Sequence, residues 1–150
     1  MKKKEPVKII IIALILITAA VAVFYLTTRP AVPEGTLRIE SGGRVIELPL
    51  ERLAFGSVHG TTVNGKGEER IIDAQGVLLE RVLREAGISE FSEVTVTADD
   101  AYNAVVTAEE IAEPDRVYLI RQDEGGLRLI VFGDSNSKRS VSDVASLSVR

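Results

Sequence analysis

The chain contains no Cys and no Trp, a single His, a single Met and few aromatic residues, 5 % of 150. Each scarcity removes a class of chemistry. Without Cys there is no disulfide scaffold, zinc–thiolate site, iron–sulfur cluster or thiol nucleophile. One His gives no basis for a multi-histidine metal site. There is no excess of positive charge: 18 basic residues stand against 22 acidic ones, a balance of -4. A nucleic-acid partner is therefore not expected. No internal repeat is visible, and the length suits one domain of ordinary size.

What the chain does have is one long apolar run. Ile9 to Leu26 is 18 residues without a charge. As a helix it spans roughly 27 Å, close to the hydrocarbon thickness of a bilayer. It exceeds the apolar region of a secretory signal, which predicts an uncleaved transmembrane anchor in residues 1–28. The alternative is a cleavable signal with Ala20-Val21-Ala22 as the site. That tripeptide lies inside the run, ahead of Val23, Phe24, Tyr25 and Leu26. Lys2, Lys3, Lys4 and Lys8 precede the run, which predicts a cytoplasmic N-terminus and an extracytoplasmic C-terminal domain in the cell membrane. Tyr25 suits the outer interfacial belt. Residues 29–35, with Pro30 and Pro33, read as a short stiff linker. Four Lys and one Glu fall in residues 1–28, leaving 14 basic and 21 acidic groups beyond them, a balance of -7.

Residues 36–150 read as strand-rich. Alternation over 36–40 and 44–48 around Ser41-Gly42-Gly43 predicts a hairpin. Pro49 to Leu53 predicts a helical turn. Residues 56–63 and 68–74 flank the turn signal Asn64-Gly65-Lys66-Gly67. Leu78, Leu79, Val82, Leu83 and Ala86 fall at helical spacing and predict a helix over 76–87 that ends at Gly87. Strands are expected at 94–97, 101–106, 117–121, 127–132 and 146–149, and Thr107 to Glu110 carries a capping-box pattern. The composite is an α+β domain with about eight strands, a mixed sheet or barrel-like, with a few short helices.

Candidate chemistry is sparse. His59 has no His or Cys partner and reads as exposed or structural. Asn64-Gly65-Lys66-Gly67 lacks the glycine and Lys-Ser/Thr ending of a phosphate loop and reads as a hairpin turn. Asp99-Asp100 reads as turn chemistry, because the spaced ligands of a calcium loop are missing. No catalytic triad and no metal ligand set is assigned. Ser135, Ser137 and Ser140 beside Lys138 and Arg139 make a small polar, basic loop suited either to solvent or to an anion.

Six stretches occur in an order that resembles the sulfite-oxidase-type molybdopterin oxidoreductase domain: LPLERLA (48–54), TTVNGKGE (61–68), GVLLERVLREAGI (76–88), VTVTADDAYNAVVTAEEI (94–111), VYLI (117–120) and LRLIVFGDSNSKRSVSDVASLSV (127–149). The resemblance implies that family's fold in a small membrane-anchored form. Catalytic members ligate molybdenum through a Cys, and this chain has none. Ala101 replaces the glycine of an Asp-Gly-Tyr turn, Ser140 replaces a Trp, and Phe132 replaces a Pro. The sequence therefore points to an extracytoplasmic binding or interaction module without catalytic residues or cofactor. The resemblance places its ligand surface at Asp99, Asp100, Tyr102 and Asn103 together with Ser135, Lys138 and Arg139, for a small anionic or pterin-like ligand. Two alternatives stand beside it: an oxidoreductase holding molybdopterin without thiolate ligation, through His59, and a structural partner of a membrane protein.

Overall fold

The computed structural model of the chain describes residues 5–28 and 35–150. The chain divides into two compact units, Met1–Ala31 and Val32–Arg150. The basic tip before residue 5, the linker up to residue 34 and the side chain of Tyr25 lie outside the described residues.

The first unit holds a helix, α1 (Glu5–Thr28). From Val7 to Phe24 it is long and apolar enough to cross a membrane. Its side chains are exposed throughout that span, and all but Lys8 and Thr18 are apolar. Thr18 donates its hydroxyl to the Leu14 carbonyl at 2.8 Å, which satisfies that hydroxyl inside the helix.

The second unit is α+β with two open sheets. The first contains β1 (Thr36–Ser41), β2 (Arg44–Pro49), β5 (Glu93–Ala98), β6 (Asn103–Thr107) and β9 (Val144–Val149), in the order β2-β1-β9-β5-β6. It is mixed, because β1 runs parallel to β9 while the other neighbours are antiparallel. Gly42 and Gly43 close the β1–β2 hairpin at φ 55° and 76°, a two-residue turn that only residues tolerant of positive φ accommodate. The second sheet contains β3 (Gly56–Val63), β4 (Glu69–Leu78), β7 (Val117–Arg121) and β8 (Leu127–Val131), in that order and antiparallel throughout. Alternate residues of both sheets (Leu37, Ile39, Val94, Val96 and Leu147 from one, Leu119, Leu129 and Val131 from the other) share one core with Leu79, Val82 and Leu83 of α2 (Leu79–Glu85).

The sheets do not close, which corrects the barrel-like expectation. Among the described residues, β2 and β6 remain edges of the first sheet, and β3 and β8 remain edges of the second. β6 ends after five residues, because the chain turns at Thr107 into α3 (Ala108–Ala112). The predicted capping box is formed there: Glu110 N–H donates to Thr107 Oγ1, and Thr107 N–H donates to Glu110 Oε2 at 3.0 Å.

A second correction concerns α2. Its helical spacing extends back to Gly76, yet Gly76, Val77 and Leu78 finish β4 and pair with Ile120, Leu119 and Tyr118 of β7. Ladder bonds won over periodicity there. The end is as expected: Gly87 at φ 76° donates to Arg84 at 3.0 Å and Ile88 donates to Leu83 at 2.9 Å, a Schellman closure. Two strand starts also differ. β6 begins at Asn103, since Ala101 sits in a turn at φ 70°. β9 begins at Val144, paired with Ala98 beyond an irregularity in β5.

The β3–β4 hairpin positions the site. The two strands pair from Gly56 opposite Gly76 to Val63 opposite Glu69, but β7 holds β4 only at its last three residues. The rest projects as an arm and folds over the back of β7–β8. Two glycines permit this approach. A Cβ on Gly76 would lie 2.8 Å from Val58 Cγ2 and 2.9 Å from Ile120 Cγ2, and one on Gly60 would lie 2.6 Å from Phe132 Cε1. Val58, Ile120 and Ile130 are buried in this second contact, apart from the main core. Tyr118 packs edge-on against Phe132 at 5.7 Å and completes it.

Candidate functional site

The turn after β5 is tightly built. Tyr102 carbonyl accepts from Ala98 N–H at 2.8 Å, Ala101 N–H donates to the Ala98 carbonyl at 3.0 Å, and Tyr102 N–H donates to Asp100 Oδ1 at 3.0 Å. Ala101 keeps the left-handed backbone that glycine favours. The Tyr102 hydroxyl donates to the Lys138 carbonyl, so the structure joins the 99–103 turn to the 133–140 loop. Asn103, at the start of β6, donates to the Ala101 carbonyl at 3.5 Å. Beside this joint is a shallow cleft of about 280 Å³ lined by Asp99, Asp100, Tyr102, Ser140, Ser142 and Asp143. Its charged lining is three carboxylates. Lys138 and Arg139 do not line it.

Arg139 is already occupied. Its Nε and Nη2 donate to Asp134 at 2.8 and 2.6 Å, and Nη1 and Nη2 donate to Glu110 at 2.8 Å each. Arg116 joins this network through Glu110 at 3.2 Å and Glu113 at 2.6 Å. The hydrogen bond from Arg139 is the main cause that lowers the Glu110 carboxyl to about 2; burial opposes it, and the Thr107 amide and both guanidinium charges assist. Arg139 is raised in turn, by Asp134 first and then Glu110. The network ties the loop to α3. Ser135 is exposed and lies outside it, with Asn136 donating to its hydroxyl at 3.5 Å.

His59 is exposed on the outer face of the arm, 3.5 Å from Asp73. Asn64 organises a plain hairpin turn: its Oδ1 accepts from the amides of Lys66 and Glu68 at 2.8 and 3.0 Å. Among the described residues, no group of three or more His, Asp or Glu gathers in a way that could hold a metal ion.

A second cleft, about 370 Å³, lies between the inner face of the arm and β8 with the 133–140 loop. Arg70 enters it from β4, on the face shared with Gly60 and Ile72. Arg128 enters from β8, with its Nε donating to Ser140 Oγ at 2.9 Å. Neither arginine has a carboxylate within ion-pair distance among the described residues. Sequence reading passed over both. The available signal was Arg128, a charge placed between two buried leucines in the strand Leu127-Arg128-Leu129. Compared with known proteins, the chain matches no family model and no curated sequence.

Proposed function

We propose that the chain is a membrane-tethered, non-catalytic binding module. In this reading α1 is an uncleaved anchor with its N-terminus in the cytoplasm, and the α+β unit lies outside. The observation that carries it is the pairing of an apolar helix over Val7–Phe24 with a separate compact unit that has its own core and an open, polar-lined cleft. Lys2, Lys3, Lys4 and Lys8, ahead of the uncharged run that begins at Ile9, support this orientation. The balance of -7 beyond residue 28 keeps the domain off an anionic leaflet.

The residues do not fit a molybdenum pterin. The chain offers no thiolate, and the turn-side cleft sets Asp99, Asp100 and Asp143 where a phosphate-bearing cofactor needs cations. His59, on the outer face of the arm, has only Asp73 within ion-pair distance among the described residues. The resemblance to the molybdopterin domain stays a likeness of six sequence stretches, with binding rather than oxygen-atom transfer as the retained role.

Because the chain lacks Cys, single cysteines report topology directly. Full-length Lys3→Cys and Ser89→Cys variants are treated in intact cells with a membrane-impermeant maleimide. Labelling of the residue 89 thiol alone, with the intact chain kept in the membrane after alkaline carbonate extraction, is the expected result. Labelling of the residue 3 thiol in intact cells, or a chain shortened at its N-terminus, overturns the reading.

A further inference from the structure

Arg128 is half-buried, flanked in sequence by fully buried Leu127 and Leu129, and carries a charge without a carboxylate partner among the described residues. A cation withdrawn from water without a counter-charge is costly. Its Nε is fixed by Ser140, which leaves the two Nη groups for another acceptor. Arg70 lines the opposite wall of the same cleft. The one acidic side chain in the lining, Asp134, is held by two hydrogen bonds from Arg139, so that pair cancels. Arg70 and Arg128 are therefore the two arginines of the cleft without a carboxylate at ion-pair distance among the described residues, in a domain whose overall balance is negative.

The remaining lining is of two kinds. Ser137, Asn136 and Thr62 add hydroxyl and amide groups, while Ile72 and Ile130 form an apolar wall. Each wall has an anchoring contact to its neighbours. The arm is seated by Gly60 against Phe132, and the loop is tied to α3 by Arg139 and Glu110. The cleft is thus mostly polar with one apolar wall, a lining suited to a ligand that has a charged end and an apolar end.

We propose that this cleft binds a small organic oxyanion, with the oxyanion between Arg70 and Arg128 and its apolar body against Ile72 and Ile130. The proposal rests on the reading of the domain as a binding module and names its site and ligand class. It moves the site away from the Tyr102–Lys138 joint. Guanidinium forks on opposite walls suit an acceptor with several oxygens.

The test is calorimetric titration of the full chain in uncharged detergent micelles with phenyl phosphate, inorganic phosphate and phenol. Phenyl phosphate is expected to saturate at millimolar concentration or below, with the other two at least about tenfold weaker, because each supplies only one half of the contact. Arg70→Gln and Arg128→Gln each lower affinity roughly tenfold or more, as loss of a hydrogen bond to a charged group does. Arg44→Gln on β2 removes the same charge elsewhere and leaves affinity within about twofold. Arg70→Gln keeps the test decisive if the Arg128 variant folds poorly, since Arg70 is exposed. Three results overturn the proposal: no saturable phenyl phosphate binding, equal binding of inorganic phosphate, or binding lost in Lys138→Gln but kept in Arg70→Gln. The last would return the ligand to the Tyr102 turn and leave the binding-module reading intact. The topology experiment decides the tether independently.

Discussion

Replacing Glu110 by Gln removes one charge from the point where α3, β6 and the 133–140 loop are joined. The carboxylate accepts two bonds from Arg139, one from Arg116 and one from the Thr107 amide. Its carboxyl titrates at about 2 against an ordinary value of 4.5. At about 1.4 kcal/mol per pH unit, that displacement corresponds to roughly 3 kcal/mol. The side chain is 18 % exposed, and solvent screening trims the figure to about 2 kcal/mol. The folded-state value lies below the unfolded one, so this stabilisation is complete above about pH 5 and is lost as the pH falls towards 2. Urea unfolding of the full chain in micelles, followed by tyrosine fluorescence, measures it at pH 7 and pH 3. The variant should be about 2 kcal/mol less stable at pH 7, and more than half of the gap should be gone at pH 3. A gap that is the same at both pH values would refute the assignment of the stabilisation to the Glu110 charge. A variant as stable as the parent at pH 7 would refute the network's contribution altogether.

Two backbone positions give further predictions. Gly76→Ala places a Cβ under 3 Å from Val58 and Ile120 and 3.1 Å from the Leu119 carbonyl. Overpacking of this kind costs about 1–3 kcal/mol, which a lowered urea midpoint with unchanged slope will show. Ala101→Gly acts in the opposite sense. The residue holds φ 70°, and relief of the left-handed penalty outweighs the added freedom of the unfolded chain, for a gain of roughly 0.5–1 kcal/mol in the same assay. A loss of stability there would contradict the turn geometry.

Much of the fold was legible because its signals are local. The Gly42-Gly43 hairpin, the Thr107–Glu110 capping box and the Gly87 closure each rest on a few adjacent residues whose backbone preferences agree. The misread start of α2 shows the limit of such signals. Leu78 and Leu79 satisfy a helical face equally well, and the partner that claims Val77 and Leu78 for a sheet stands some forty residues later, at Tyr118 and Leu119. One juxtaposition near the candidate site was legible. Tyr102 and the 138 loop were placed together, and the structure joins them by a hydrogen bond. The chemistry of that joint was not legible, because the acids that occupy Arg139, Glu110 and Asp134, and the third carboxylate beside the turn, Asp143, come together only in three dimensions. Arg70 and Arg128 were missed for the same reason. They belong to different strands, and the fold-over of the arm, permitted by Gly60 and Gly76, brings them to one cleft.

Arginine replaces histidine and cysteine as the chemically informative residue of this chain. In the binding reading proposed above, Arg70 and Arg128 are the side chains that hold the ligand. The most direct measurement is a nuclear magnetic resonance titration of the full chain in micelles with phenyl phosphate, read at the arginine Nε–Hε signals. The signals of Arg70 and Arg128 should move together along one saturation curve, while those of Arg44 and Arg84 stay in place. Movement confined to the Tyr102–Lys138 joint, or small and unsaturated movement shared by every arginine, would contradict the account.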